Sequence, residues 1–123
     1  MELIYVSDKV RQQCNNLKDA KKLFGGDAKL AISLLSRINA LEAAECIKDI
    51  IVQSQFHFHD LHNKGNSRLE GYFAIDVKTR KEPWRIILRP LNSDKEPYEK
   101  RNIDEIAGIV EIVEIKEVSK HYE

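Results

Sequence analysis

Cysteine, proline, glycine and tryptophan are all scarce in this chain. Two cysteines, three prolines, five glycines and one tryptophan occur in 123 residues, which excludes a disulfide-framed secreted scaffold, a collagen-like repeat and a Pro/Gly low-complexity chain. Cys14 and Cys46 match no C-x-x-C or other ligand spacing; they fall on separate predicted helices and read as small hydrophobes. No apolar run approaches the roughly 20 residues a membrane-spanning helix needs. The opening MELIYVSDKV also lacks a basic segment ahead of an apolar one, so a cytoplasmic location is expected.

Net charge is absent as well, since 20 basic and 20 acidic side chains cancel. Their distribution is uneven. Residues 1–54 carry 8 basic and 7 acidic groups, residues 55–91 carry 7 and 4, and residues 92–123 carry 5 and 9, which makes the middle basic and the end acidic. With 42% hydrophobic and 33% charged residues, the composition is that of a globular chain. Its length suits one domain, residues 1–123, around a single core.

The segment LIYV predicts a first strand over residues 3–6, stopped by Ser7 and Asp8, which suit a helix N-terminus. Val10, Cys14, Leu17, Ala20 or Lys21, and Phe24 then recur at helical spacing up to Gly25-Gly26. Asp27 can cap a second helix with the stripe Ala31, Leu34, Leu35, Ile38 and Leu41. After a short helical or irregular piece around AAECIKDII, the segments QFHFHDL, GYFAIDV, WRIILRP and IVEIVEIKEV read as strands. NIDEIAG can hide a short helix in the long connection before the last strand. The expected class is α+β: two N-terminal helices packed on a twisted antiparallel sheet, in the order β-α-α-β-β-β-β. The apolar positions of IVEIVEIKEV do not alternate strictly, and its β-branched content favours a strand over a helix.

Two segments hold residues with chemistry. In WRIILRP, Trp84, Ile86 and Leu88 share one strand face, and Arg85, Ile87 and Arg89 the other. Arg85 and Arg89, roughly 13 Å apart, either line a groove that tracks a polyanion or pair with acids such as Asp76 on a neighbouring strand. FHFHDLH is the densest histidine cluster. It places His57 and His59 on one predicted strand face, Phe56 and Phe58 on the other, and His62 in the following loop. Histidines beside arginines suit acid–base chemistry on a phosphate. A histidine-x-histidine pair also suits zinc, given further ligands such as His62 or Asp60. His57 and His62 equally read as packing residues, with His59 the stronger candidate. Lys64, Arg68 and the KTRK run add basic side chains to the flanking loops. Pairing of the last strand would fix the backbone up to Ser119 and set His121 and Tyr122 at a defined edge.

The ordered motifs HDL, KGNSR, EGYFAIDV, WRIILRP and EIKEVSKHY resemble the RelE/ParE superfamily of toxins, and within it the HigB-like, or plasmid maintenance killer, branch. The resemblance covers nearly the whole chain. It implies a toxin of a toxin–antitoxin pair: a ribosome-dependent, metal-independent endoribonuclease that cuts messenger RNA and needs no cofactor. It also implies a cognate helix-turn-helix antitoxin, contact with operator DNA only through that antitoxin, and no membrane partner. By this resemblance His59, Lys64, Arg85 and His121 are the catalytic set, with one of His59 and His121 as base and the other as acid. Arg85, helped by Lys64, holds the phosphate charge. Arg68, Arg80, Lys81, Arg89, Lys120 and Tyr122 are the expected RNA contacts. Ser119 and Lys120 stand where the family tail has aspartate and tyrosine, and Tyr122 follows the histidine. The two residues His62 and Asn63 lengthen the segment between HDL and KG, so His62 is an alternative to His59. A binding module on the same fold, without cleavage, or a gyrase inhibitor like the ParE branch is the other reading.

Overall fold

The computed structural model describes residues 1–61, 69–99 and 102–120. Strand β1, Glu2–Tyr5, leads into α1, Asp8–Asn15, where the Ser7 hydroxyl accepts from the Val10 amide at 3.2 Å. The single helix expected over residues 8–24 is in fact two. Asn16, extended at φ −130° and ψ 120°, ends α1, and its side chain accepts from the Asp19 amide to start α2, Leu17–Leu23. Asparagine competes well for its own backbone and so interrupts helices. The break throws Leu17 off the apolar stripe, leaving it exposed, while Val10, Cys14, Ala20 and Phe24 stay buried.

Gly25 and Gly26, at φ 64° and 94°, form the left-handed turn after α2. The Asp27 carboxylate then accepts from the Leu30 amide and opens α3, Ala28–Ala43. Leu30, Ala31, Leu34, Ile38 and Leu41 of α3 are buried. A short α4, Lys48–Ile51, is followed by a 3-10 turn, Ser54–Phe56. Strands β2, His59–Asp60, β3, Phe73–Asp76, and β4, Arg85–Leu91, come next, then α5, Ile103–Ile106, and β5, Ile112–Ser119.

The class is α+β, but the sheet is mixed, in the order β1-β5-β4-β3-β2. Strands β2 to β5 form the expected antiparallel series. β1 lies parallel to β5, with Leu3 opposite Val113, which corrects the all-antiparallel expectation. Polar turns between consecutive strands specify antiparallel neighbours, whereas β1 is separated from β5 by every other element, so no local signal sets its direction.

One face of the sheet carries Phe73, Ile75, Ile86, Leu88, Val113, Ile115 and Val118 into the core shared with α3. The irregular apolar pattern of β5 has a physical cause. Between Ile87 and Leu88 the register shifts, so that Ile87 faces Glu117 and Leu88 faces Ile115. Lys116 is the extra residue of a bulge, and the parity flip lets Val113, Ile115 and Val118 all point inward.

Burial pushes the Cys14 thiol up from the ordinary 9.0 to about 12. Burial likewise raises Tyr5, against a hydrogen bond to Asn15 that lowers it. Each group is held neutral in the fold beyond the pH at which it ionises in the unfolded chain. Its stability contribution is therefore complete below the unfolded value and is lost as pH rises through the folded one. For Cys14 the expected loss is about 1.4 kcal/mol per pH unit from pH 9 upward. Urea midpoints at pH 8.5 and 10.5 check this: the wild type should lose more stability over that interval than Cys14→Ala.

Candidate active site

The face of the sheet turned away from the helices carries, by alternation, Ala74 and Asp76 of β3, Arg85, Ile87 and Arg89 of β4, and Glu114, Glu117 and Ser119 of β5. His59, opposite Ala74 on β2, shares that face. Asp76, Arg85 and Ser119 form one row across three strands, and all three are buried.

Asp76 is the centre of this arrangement. Its Oδ1 lies 3.2 Å from Arg85 Nε and 3.0 Å from His57 Nδ1. Both Asp76 and Arg85 side chains are only 2% exposed, against 28% for His57. Arg85 also donates to backbone, from Nη1 to the carbonyls of Glu82 and Trp84 and from Nη2 to that of Arg80 at 3.1 Å. Arg85 thus closes the turn between β3 and β4 upon the Asp76 carboxylate.

His57 reaches Asp76 through an unusual backbone. The segment QFHFHDL is not a continuous strand, as its alternation suggested. It comprises the 3-10 turn, then His57 in the left-handed region at φ 50° and ψ 49°, and only two residues of β2. Non-glycine residues seldom occupy that region. The result still puts Phe56 in the core and stacks Phe58 on Phe73, with centroids 4.9 Å apart. On the opposite side the His57 and His59 rings stack with centroids 4.4 Å apart and planes 29° from parallel.

Each ring is tied back through Nδ1. His59 Nδ1 lies 2.7 Å from the His57 carbonyl oxygen, and a carbonyl can only accept, so Nδ1 carries the hydrogen. His57 Nδ1 donates to the Asp76 carboxylate. In the neutral rings Nε2 then holds the lone pair. Two adjacent half-buried imidazoles with their Nδ1 atoms anchored can take a proton at one Nε2 and give one at the other.

Arg37 of α3 joins these parts from the core side. Its Nε donates to the Asp76 carbonyl at 3.2 Å, and Nη2 to the carbonyls of Gln55 and Lys78 at 3.2 and 3.0 Å. Its guanidinium carbon sits 4.8 Å from the Phe56 ring centroid. Burial lowers the Arg37 pKa, and Asp76 opposes the shift. One turn earlier Ser33 Oγ donates to the Val77 carbonyl at 2.7 Å.

Arg89 lies further along the sheet, with Nη2 2.8 Å from Glu114 Oε1 and its guanidinium 4.7 Å from the Tyr72 ring centroid. Lys116 Nζ sits 5.2 Å from the same ring. Both strand arginines are therefore paired with carboxylates, as the ion-pair alternative has it. Arg80 and Lys81, in the β3–β4 turn that Arg85 closes, are exposed, as is Lys120, whose Nζ lies 5.6 Å from the Trp84 ring centroid. The expected site residues His62, Lys64, Arg68, His121 and Tyr122 lie outside the described residues.

The sequence shows Asp76 only as an arginine partner, and His57 as the weaker member of a histidine-x-histidine pair that equally reads as packing. Arg37 left one signal: it stands three residues after Leu34 and four before Leu41, on the flank of the buried stripe. Among the described residues no group of three His, Cys, Asp or Glu side chains is placed to hold a metal ion, and no helix is long and apolar enough to cross a membrane. A cleft of about 360 Å³ is lined by Asp60 of β2, Phe73 of β3, Arg89 of β4, Tyr98 and Ile103 among others; neither described histidine lines it. Comparison with protein-family models, with curated proteins and with solved structures returned no match to this chain.

Proposed function

We propose that the protein is an endoribonuclease of the RelE-like toxin class that cuts messenger RNA during translation, with His57 and His59 moving the protons. The observation that carries this reading is the stacked imidazole pair with both Nδ1 atoms anchored, one of them on a buried carboxylate.

Strand cleavage without water suits such a pair. One Nε2 takes the proton of a ribose 2′-hydroxyl as that oxygen attacks the adjacent phosphorus. The bond from phosphorus to the 5′-oxygen breaks, and the other imidazolium protonates the leaving oxygen. The products are a 2′,3′-cyclic phosphate and a 5′-hydroxyl, with no atom left over. Arg80, Lys81 and Lys120, all exposed, are cations among the described residues that can draw a polyanion toward the pair. Arg85, buried against Asp76, acts in this reading as the strut of the carboxylate rather than as a phosphate ligand. In this reading His57 takes the proton-transfer place that the resemblance gives to His121, while Lys64 keeps the role that the resemblance implies, as do the helix-turn-helix antitoxin and the ribosome as partners.

One observation favours the second reading, a non-cleaving binding protein on this fold: both strand arginines are neutralised by carboxylates. Primer extension on a defined messenger separates the two readings. The proposal expects cuts from purified protein with translating ribosomes and none without them. Intact messenger in both reactions, from folded protein, supports the binding protein.

A further inference from the structure

His57 is the residue on which the proposed chemistry depends most, and its own backbone does not favour its place. A left-handed conformation is unfavourable for a histidine and persists only where its surroundings over-determine it. Within the turn itself, the described hold on this conformation is the His57 amide donating to Ser54 at 3.1 Å. Asp76 is the last residue of β3, opposite Arg85; the Val77 amide still donates to the Trp84 carbonyl at 3.2 Å, and beyond it the chain leaves the ladder.

Arg37 contacts both segments. One guanidinium donates to the carbonyl of Gln55, two residues before His57, and to the carbonyls of Asp76 and Lys78, on either side of the residue that Ser33 holds. It also lies against the Phe56 ring, immediately before the left-handed residue. Three acceptors on two chain segments converge on a planar donor fork whose geometry a lysine ammonium does not reproduce. The guanidinium is anchored on α3, whose neighbouring residues Leu34, Ile38 and Leu41 are almost fully buried, so it has a rigid base.

We infer that Arg37 is a positioning residue: it fixes the separation of the His57 turn and the Asp76 strand end, and so holds the His57 Nδ1 hydrogen bond to Asp76. The effect on cleavage rests on the function proposed above, whereas the effect on the imidazole does not. A misplacement of about 1 Å in a proton-transfer group costs on the order of 100-fold in rate.

The test uses the full chain as Arg37→Lys and Arg37→Ala, with two readouts. The first is the proton resonance of His57 Nδ1–H, assigned by its loss in His57→Gln. The wild type should show it downfield and protected from exchange; both Arg37 variants should lose or broaden it while circular dichroism still shows a folded chain. The second is ribosome-dependent cleavage, expected to fall about 10- to 100-fold in kcat with KM little changed. A folded Arg37→Lys that keeps the His57 resonance and wild-type cleavage overturns the inference. Should Arg37→Ala fail to fold, Arg37→Lys alone decides. Absence of cleavage in the wild type would contradict the proposed function and leave the imidazole resonance to decide the role of Arg37.

Discussion

His57→Gln and His59→Gln should each lower the rate of messenger cleavage by about 100- to 10,000-fold, the range over which a positioned proton-transfer group acts. The two losses should not multiply in the double variant. Removing either partner interrupts the same transfer, and residues that work as a unit are strongly non-additive. Glutamine retains a hydrogen-bonding side chain of similar reach without an imidazole, so the stacked site can keep its outline. Both histidines are half-buried and outside the main core, so the unfolding free energies from urea titration should stay within about 1 kcal/mol of wild type. A His59→Gln protein with wild-type cleavage would remove His59 from the chemistry and leave His57 to work with another group.

Asp76→Ala should be the most destabilising single change at the site, by about 3 to 5 kcal/mol. The carboxylate is 2% exposed and is shared by Arg85, equally buried, and His57. Its removal deprives a buried guanidinium of this carboxylate, and that is the costly way to break an interior ion pair. Replacing both charges at once with apolar side chains, as Asp76→Leu with Arg85→Met, should recover a large part of the loss, because no buried charge then remains in the pair. Urea unfolding of the single and double variants measures this directly. A loss under 1 kcal/mol for Asp76→Ala would show that the carboxylate contributes little to the fold, and the strut role of Arg85 would fail with it.

The helices were legible because their signals are local. Ser7 and Asp27 cap the helices they precede, and the α3 stripe is buried at four of its five expected positions, Leu35 being half-buried. Asn16 shows the limit of that reading: the periodicity runs on through it, and only its side-chain bond to Asp19 reveals the break. Strands β3, β4 and β5 were legible as segments from their β-branched content, whereas QFHFHDL, which has none, supplies only the two residues of β2. Neither the bulge at Lys116 nor the parallel place of β1 could be read, since each is a property of pairing with distant residues.

The site divides in the same way. Arg85, His59 and the possible pairing of Arg85 with Asp76 follow from strand alternation. The contact of His57 with Asp76 and the place of Arg37 do not, because one depends on a left-handed backbone and the other on three carbonyls brought together from two distant segments. Carbonyl acceptors carry no sequence signature. A helix arginine that binds them is indistinguishable in sequence from one that faces solvent.

The central claim is that two anchored imidazoles pass protons during RNA cleavage, and the chemistry of the cut ends tests it most directly. Messenger cut in the presence of ribosomes and purified protein would be analysed for its termini, wild type beside His57→Gln and His59→Gln. The account predicts 5′-hydroxyl and 2′,3′-cyclic phosphate ends from the wild type and a near loss of both from each variant. Ends bearing a 5′-phosphate and a 3′-hydroxyl would show attack by water instead, and would contradict it.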